Sequence, residues 1–560
     1  MKKKLFKRKL LYASLLAAAS VAAAPVQAEK AQPSNCQPIK STEAIAEGTR
    51  VNKQALDKWE NKKIHKINIT INNIFDESDP AENKWIYRLA NRIQVNTREN
   101  TIRSQLLFKE GEEVDPERIE ESLRRLYKKE YLLDVKLELA EQCGDSVTLD
   151  LIVRDAWTIE PRISAGHEGG ESSSEFGLRD GNFLGSGAEL ELIYKTDAER
   201  SQVDYKYRSE NFLNTRWLAE FYHADLSDGE NNRVILEKPY YSNNTRWAYG
   251  FEVETLTQVD KIRMGDSLLN AYSHVTESQN AYLGRALAIN SKRTYRLNVG
   301  VTAVDHAFSN VEQTQQLPDA EQQFYHWLEV QRQTNEFKTY TNLNYIKRAE
   351  DIAIGQEFSV RVGQGEWAET DSMTRLIAQY SNALALQGNH LFKFDTYTDL
   401  VYTNQDQSLA NSIWGLSGKY HYYVDGKNRW QIRASWDRGN NLPEYRELTL
   451  GEEVGMRGYP LSYQRGDNRY IVNIERRFYS DIHWFNLIRV GAVAFVDAGR
   501  AWQTGSGEQA DHLASAGLGL RLHSSKSGNP AVIHINLSAP LVKDEQLDDY
   551  LVSVAVGTEF

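Results

Sequence analysis

The sequence predicts a mainly β protein: an outer-membrane-type antiparallel β-barrel over residues 157–560, behind a small α/β domain over residues 63–156. Three observations carry this. After Trp157 the chain runs as alternating apolar and polar stretches of roughly ten residues, separated by turn residues and without a sustained helical period. No apolar run after the N-terminal segment reaches the ~18–20 residues of a membrane-spanning helix. The chain also closes on an alternating strand, Tyr550 to Phe560, that ends in an aromatic residue.

The N-terminus sets the compartment. Lys2, Lys3, Lys4, Lys7, Arg8 and Lys9 form a basic stretch, Leu10 to Ala24 is apolar and alanine-rich, and Val26-Gln27-Ala28 offers small residues for cleavage. Residues 1–28 read as a secretory signal peptide, with a membrane anchor as the alternative. Residues 29–62 are polar and patternless, an extended N-terminal segment. The 560 residues carry a formal net charge of −11 and a mean hydropathy of −0.58. A secreted chain of this kind is soluble or a barrel, because a barrel shows lipid only every second side chain. The 29 Tyr and 12 Trp suffice for interfacial girdles. The acidic balance argues against a nucleic-acid partner.

Cys36 and Cys143 are the two cysteines. In an oxidising compartment they are expected to form a disulfide, with two free thiols as the alternative. They and the scattered histidines lack metal-ligand spacing, so no metal is expected. Gly517-Leu518-Gly519 lacks the third glycine of a dinucleotide fingerprint, and no cofactor is expected. The sequence contains no G-x-S-x-G, H-E-x-x-H or Walker loop, and enzymatic activity is not expected.

In the α/β region, Ile67, Ile69 and Ile71 alternate as in a half-buried strand. Pro80 to Asn96 holds a helical candidate around Trp85, Tyr87 and Leu89. Thr97 is placed to cap a helix carrying Ile102, Leu106 and Leu107, which Gly111 ends. Asp115-Pro116 is a cap followed by proline at the first helical position, and Ile119, Leu123, Leu126 and Tyr127 mark one face of the next helix. Val135/Leu137/Leu139 and Val147/Leu149/Leu151/Val153 read as strands. The order is strand, helix, helix, strand, strand.

Alternating runs over the remainder include Ala188–Lys195, Gln202–Arg208, Arg246–Glu254, Tyr295–Val304, Phe337–Tyr345 and Phe392–Tyr402. The C-terminal runs show what lies on each face. Ile488, Val490, Ala492, Ala494, Val496 and Ala498 oppose Arg489, Gly491, Asp497 and Gly499. Tyr470, Val472, Ile474 and Phe478 oppose Asn473, Glu475 and Arg477. Ala516, Leu518, Leu520 and Leu522 oppose Gly517, Gly519 and Arg521. Lipid outside and a wet lumen inside explain this division; a soluble sandwich is the alternative.

The strand–helix–helix–strand–strand unit resembles a polypeptide-transport-associated (POTRA) domain. Residues 63–560 resemble the bacterial surface-antigen superfamily of outer-membrane assembly and translocation proteins, which includes the BamA/TamA type and the two-partner secretion transporters. The resemblance lies in the Ile119–Tyr131 helix running into Leu133–Leu139, in Asn182-Phe183-Leu184-Gly185-Ser186-Gly187, in Met456-Arg457-Gly458-Tyr459, in Phe495-Val496-Asp497-Ala498-Gly499, and in the final strand. It implies a barrel of about sixteen strands, eleven before the Arg457 loop and five after it. The sequence shows one POTRA-like domain, expected in the periplasm, where the best-known insertases of the superfamily carry several.

About thirty residues separate the strand ending near Asp437 from the one starting near Arg469, a length typical of functional loops. Arg457, Gly458 and Tyr459 are expected to fold into the barrel, where Arg457 offers a bidentate fork to Asp497 with Glu475 close by. Gly491, Gly517 and Gly519 would leave room for the loop. A disordered external loop is the alternative.

On the last strand Tyr550, Val552, Val554, Val556 and Phe560 fall on a lipid face, and Ser553, Ala555, Gly557 and Glu559 on a lumen face. Val554, Val556, Gly557 and Phe560 mark the expected seam and C-terminal signal. Closure requires pairing with the first strand, near Trp157–Gly166, where Pro161 cannot donate to a ladder. A short, weak seam is expected.

The resemblance implies an assembly or translocation factor that takes unfolded outer-membrane or secreted proteins in the periplasm and inserts them into, or passes them across, the outer membrane. Its partners would be outer-membrane lipid, those clients and periplasmic accessory proteins. Two alternatives stand: a two-partner secretion transporter for a dedicated exoprotein, and a structural, lipid-organising or passive-pore barrel.

Overall fold

A computed structural model of the chain describes residues 36–39 and 56–557, apart from 169–170, 266, 291, 368–370, 388, 506–509, 527–531 and 543–546. The expected signal peptide and Phe560 lie outside these residues.

The N-terminal domain is a four-stranded sheet packed by helices. Its strands are β1 (Cys36–Pro38), β2 (Lys63–Asn72), β3 (Leu132–Cys143) and β4 (Ser146–Asp155), in the order β1-β3-β4-β2. β2 runs parallel to β4 and the other pairs are antiparallel. Between β2 and β3 lie α1 (Trp85–Ile93), α2 (Glu99–Gln105) and α3 (Pro116–Tyr127). The Asp115 carboxylate accepts from the Arg118 amide and starts α3, with Pro116 in its first turn. One face of α3, Ile119, Leu123 and Leu126, is fully buried against Ile67, Val135 and Leu149 of the sheet. Each such side chain contributes about 1.5–3 kcal/mol by leaving water.

Three details differ from the sequence reading. Part of the expected extended segment 29–62 is β1, an added edge strand. α1 is a true helix, so the order holds three helices rather than two. Thr97 does not cap α2. The N-cap residue is Arg98, and the Thr97 amide and hydroxyl both donate to the Asp155 carboxylate, at 2.9 and 2.7 Å. The hydroxyl is engaged by tertiary partners, donating to Asp155 and accepting from Asn182, instead of accepting from a local helix amide.

Among the described residues, twenty antiparallel strands close into a barrel, not the sixteen expected. Five follow the Arg457 loop, and fifteen precede it in place of eleven. Alternation marks a strand, but the number that closes a barrel depends on pairing and stagger around the whole ring, which no local motif encodes. The run at Phe337–Tyr345 is not a wall strand. Phe337–Thr341 pairs with Ala349–Ala353 in a separate hairpin, which projects into the lumen. Leu343 and Ile346 are buried there, Ile346 against Tyr479 and Val532.

The outer face of the barrel is apolar. Phe251, Leu328, Ile474, Val496, Leu518 and Leu537 are each at least one-third exposed. Their strand neighbours Glu252, Glu329, Glu475, Asp497 and Arg521 alternate to the other face. The wall is uneven in height. The far strands Trp247–Met264, Ser267–Ile289 and Arg293–Asn310 have 18, 23 and 18 residues. The strands Ala188–Thr196, Ser201–Ser209 and Leu218–Leu226 have 9 each, and the last strand is described over Leu551–Gly557. The rim beside the N-terminal domain is called proximal here, and the opposite rim distal.

Candidate functional site: a loop clamp in the lumen and a short seam

The loop between the strands Asn428–Asn440 and Asn468–Trp484 leaves the distal rim and turns back into the lumen. It carries its own structure, a small ladder of Leu448–Leu450 with Gln464–Gly466. Gly455 and Gly458 adopt positive φ of 100° and 87°, the left-handed region open to glycine at little cost. They turn the chain on either side of Arg457.

Arg457 is buried and meets two carboxylates. Its Nε donates to Asp497 Oδ2 and its Nη2 to Asp497 Oδ1, both at 2.7 Å, and its Nη1 donates to Glu475 Oε1 at 2.9 Å. Asn473 Nδ2 donates to Asp497 Oδ1 at 2.7 Å and to the Gly455 carbonyl at 2.8 Å, so the wall grips the loop backbone as well. Arg477 Nε donates to the second oxygen of Glu475 at 2.8 Å. Two guanidinium groups thus face two carboxylates with each oxygen engaged, the condition under which a buried pair is held rather than expelled.

The Phe495 ring lies 3.6 Å from the Arg457 guanidinium carbon and rests on Gly517, its direct cross-strand partner. A Cβ on Gly517 would fall 2.4 Å from Phe495 Cζ. Gly517 therefore makes room for the aromatic, not for the loop. Phe495 was missed as a site residue; an aromatic at an odd position of that strand, on the lumen face, was the signal. Tyr459 is fully buried with Met456, Leu450, Ile471 and Leu513, and its hydroxyl lies 2.9 Å from the Ala514 carbonyl and 3.1 Å from that of Val542.

The same loop reaches the far wall. The Tyr445 ring packs at a tilt against His274, His306 and Phe308, and the Ser462 carbonyl accepts from the Gly265 amide at 3.0 Å. The loop therefore crosses the lumen. From the proximal side, the Asn342 carbonyl of the inserted hairpin accepts from Arg429 Nη1 and from the Tyr479 hydroxyl, both at 2.8 Å.

The N-terminal domain docks on the proximal rim through two related turns, Asn182-Phe183-Leu184-Gly185 and Asn211-Phe212-Leu213-Asn214. Both place a leucine at positive φ, 52° and 54°. Asn182 Nδ2 donates to Thr97 Oγ1 at 2.8 Å, and Thr101 Oγ1 to the Gly185 carbonyl at 2.8 Å. Asn211 Nδ2 donates to Ser104 Oγ at 2.5 Å. The repeated Asn-Phe-Leu at 182–184 and 211–213 is the signal in the sequence that pairs the two turns. On the domain itself, a disulfide joins Cys36 and Cys143, with Cα atoms 4.1 Å apart.

The first and last barrel strands, Ile159–Glu168 and Leu551–Gly557, are neighbours in the ring. Among the described residues their ladder is the single pair Val554–His167. The last strand makes seven pairs with its other neighbour, and the first makes ten. Val552 and Val556 are exposed outward, Ser553 is buried inward, and Gly557 is the last described residue of the strand.

Fold and site together define a class: a membrane-spanning antiparallel β-barrel with a loop clamped in its lumen and an α/β domain on one rim. No protein-family model matches the chain, and no curated protein matches it. Solved structures similar to it include CdiB from Acinetobacter baumannii, 13% identical over 88% of this chain and 73% of that one, with a TM-score of 0.42. CdiB from Escherichia coli is 12% identical over 93% and 80%, with a TM-score of 0.42. BamA from Haemophilus ducreyi lacking POTRA domains 1–3 is 14% identical over 88% and 84%, with a TM-score of 0.39.

Proposed function

We propose that this protein is an outer-membrane factor of the surface-antigen type that inserts unfolded β-rich clients into the membrane through a lateral opening between its first and last strands. The seam carries the proposal. A closed barrel in lipid satisfies its backbone by pairing every strand on both sides, and here one junction is reduced to a single described pair. Loop and hairpin occupy the lumen from the two ends, which favours the lateral route over passage through the centre. In this reading the proximal rim faces the periplasm and the N-terminal domain receives the client. Strand addition would take the edge of β3 from Leu132 to Leu139, beyond the residues covered by β1. At the other edge, Glu110 accepts from the Ile67 amide and Arg103 donates to the Ile67 carbonyl.

The test is a disulfide across the seam. His167→Cys with Val554→Cys should crosslink under oxidation and stop client insertion, and reduction should restore it. Full activity of the crosslinked barrel would eliminate the lateral route. Depletion followed by a census of outer-membrane proteins would show whether clients exist at all.

A further inference from the structure

α1 stands outside the strand–helix–helix–strand–strand order, and much of its surface is apolar and uncovered. Trp85 is 70% exposed, Ile86 50%, Leu89 42% and Ile93 53%. At 100° per residue these four fall within an arc of about 100°. The opposite side docks on protein: Tyr87 is buried, its ring stacks on Phe75 at 4.4 Å, and its hydroxyl donates to the Phe485 carbonyl of a proximal turn at 2.6 Å. Lys84, Arg88 and Arg92 flank the apolar arc, all exposed, and the helix contains no acidic residue.

The uncovered arc faces the barrel's outer wall across an apolar pocket of about 650 Å³, between Ile86, Leu89 and Ile93 on the helix and Leu522, Ile533 and Val556 on the wall. Ile533 and Val556 are exposed on the lipid-facing side. Val556 belongs to the last strand, so the pocket opens at the foot of the seam.

We propose that α1 is an interfacial membrane helix. Its apolar arc lies in the bilayer leaflet nearest the N-terminal domain, the pocket takes a phospholipid acyl chain, and Lys84, Arg88 and Arg92 meet lipid phosphates. Continuity selects lipid as the occupant, because the wall residues Leu522, Ile533 and Val556 that line the pocket continue the barrel's own apolar belt. A soluble partner would have to enter the hydrocarbon layer to fill it. An apolar face beside a basic flank, with a tryptophan at its edge, is the composition of a helix lying in the membrane plane. The helix would hold lipid beside the seam, at the place where a client strand would leave. This inference rests on the barrel's spanning a membrane.

The test uses the full chain in vesicles of phosphatidylethanolamine and phosphatidylglycerol. A nitroxide is attached at Ile86→Cys and, in a separate variant, at Leu89→Cys, with Leu520→Cys on the outer wall and Glu138→Cys on the N-terminal domain as references. Accessibility to oxygen relative to a water-soluble nickel chelate should be severalfold higher at 86 and 89 than at 138, approaching that at 520. Values at 86 and 89 equal to that at 138 overturn the proposal while leaving the barrel reading intact. A water-like value at 520 overturns the membrane reading itself. Labels at 86 and 89 shielded from both reagents would show protein covering α1, and would also overturn it.

Discussion

Arg457 and Asp497, forty residues apart in sequence, face each other in a parallel fork, Nε to Oδ2 and Nη2 to Oδ1, both at 2.7 Å. Asp497 has no solvent exposure. A carboxylate so placed depends on its partner, because a single charge left without one in a dry site is strongly disfavoured.

Arg457→Ala should therefore lower barrel stability by about 3–5 kcal/mol, the range for removing one member of a buried pair. Arg457→Lys should recover part of this, since an ammonium cannot form the fork. Arg457→Ala with Asp497→Asn should be less damaging than Arg457→Ala alone. Denaturant midpoints of the refolded barrel in detergent measure all three. Equal stability of the single and double variants would show that the charge on Asp497 does not matter.

The support beneath the fork gives a second expectation. Gly517→Ala puts a methyl group 2.4 Å from Phe495 Cζ and 2.3 Å from the Leu537 carbonyl oxygen. It should cost about 1–3 kcal/mol by overpacking and increase protease cleavage of the 441–467 loop. Gly426→Ala, where nothing lies within 4 Å of the added carbon, should leave both readouts unchanged.

The disulfide closes a separation of 107 residues. By chain entropy such a closure is worth about 4–5 kcal/mol. Cys36→Ser should lower the melting temperature of the N-terminal domain and release Cys36–Pro38 from the edge of β3 to protease. On a non-reducing gel the wild type should run faster than its reduced form, and Cys36→Ser should not change with reductant.

The contact of Glu82 with the barrel should be acid-sensitive. Burial would raise the Glu82 carboxyl, but the Lys526 ammonium, 2.5 Å away, and Arg154, at 2.7 Å, hold it below the usual carboxylate range. The carboxylate is depressed in the folded state, so its contribution is present above the ordinary glutamate range and is lost as pH falls through the lower folded value. Hydrogen exchange across 82–93 should stay slow from pH 7 to below that ordinary range and then accelerate. Glu82→Gln should exchange faster at pH 7 and lose the acid transition. An unchanged transition in Glu82→Gln would assign it to another group.

Several features were readable from sequence because their physics is local. Alternation of Asn473, Glu475 and Arg477 against Val472, Ile474 and Phe478 follows from the two-residue period of a strand. Asp115-Pro116 starts a helix through one short-range bond. The glycines around Arg457 announce a tight turn. These determined a mainly β chain with an α/β domain in front and a long loop carrying an arginine. Tertiary structure decided the rest. Among the described residues twenty strands close the ring, because pairing and stagger must agree around its whole circumference. Phe337–Thr341 looks like a wall strand, but its partner is the neighbouring Ala349–Ala353 inside the lumen. Thr97 gives up its helix for Asp155, 58 residues away. The α1 helix is amphipathic in sequence, but only docking through Tyr87 turns its apolar arc toward the outer wall beside the seam. Each of these outcomes depends on which surfaces meet, and the order of residues along the chain does not specify that locally.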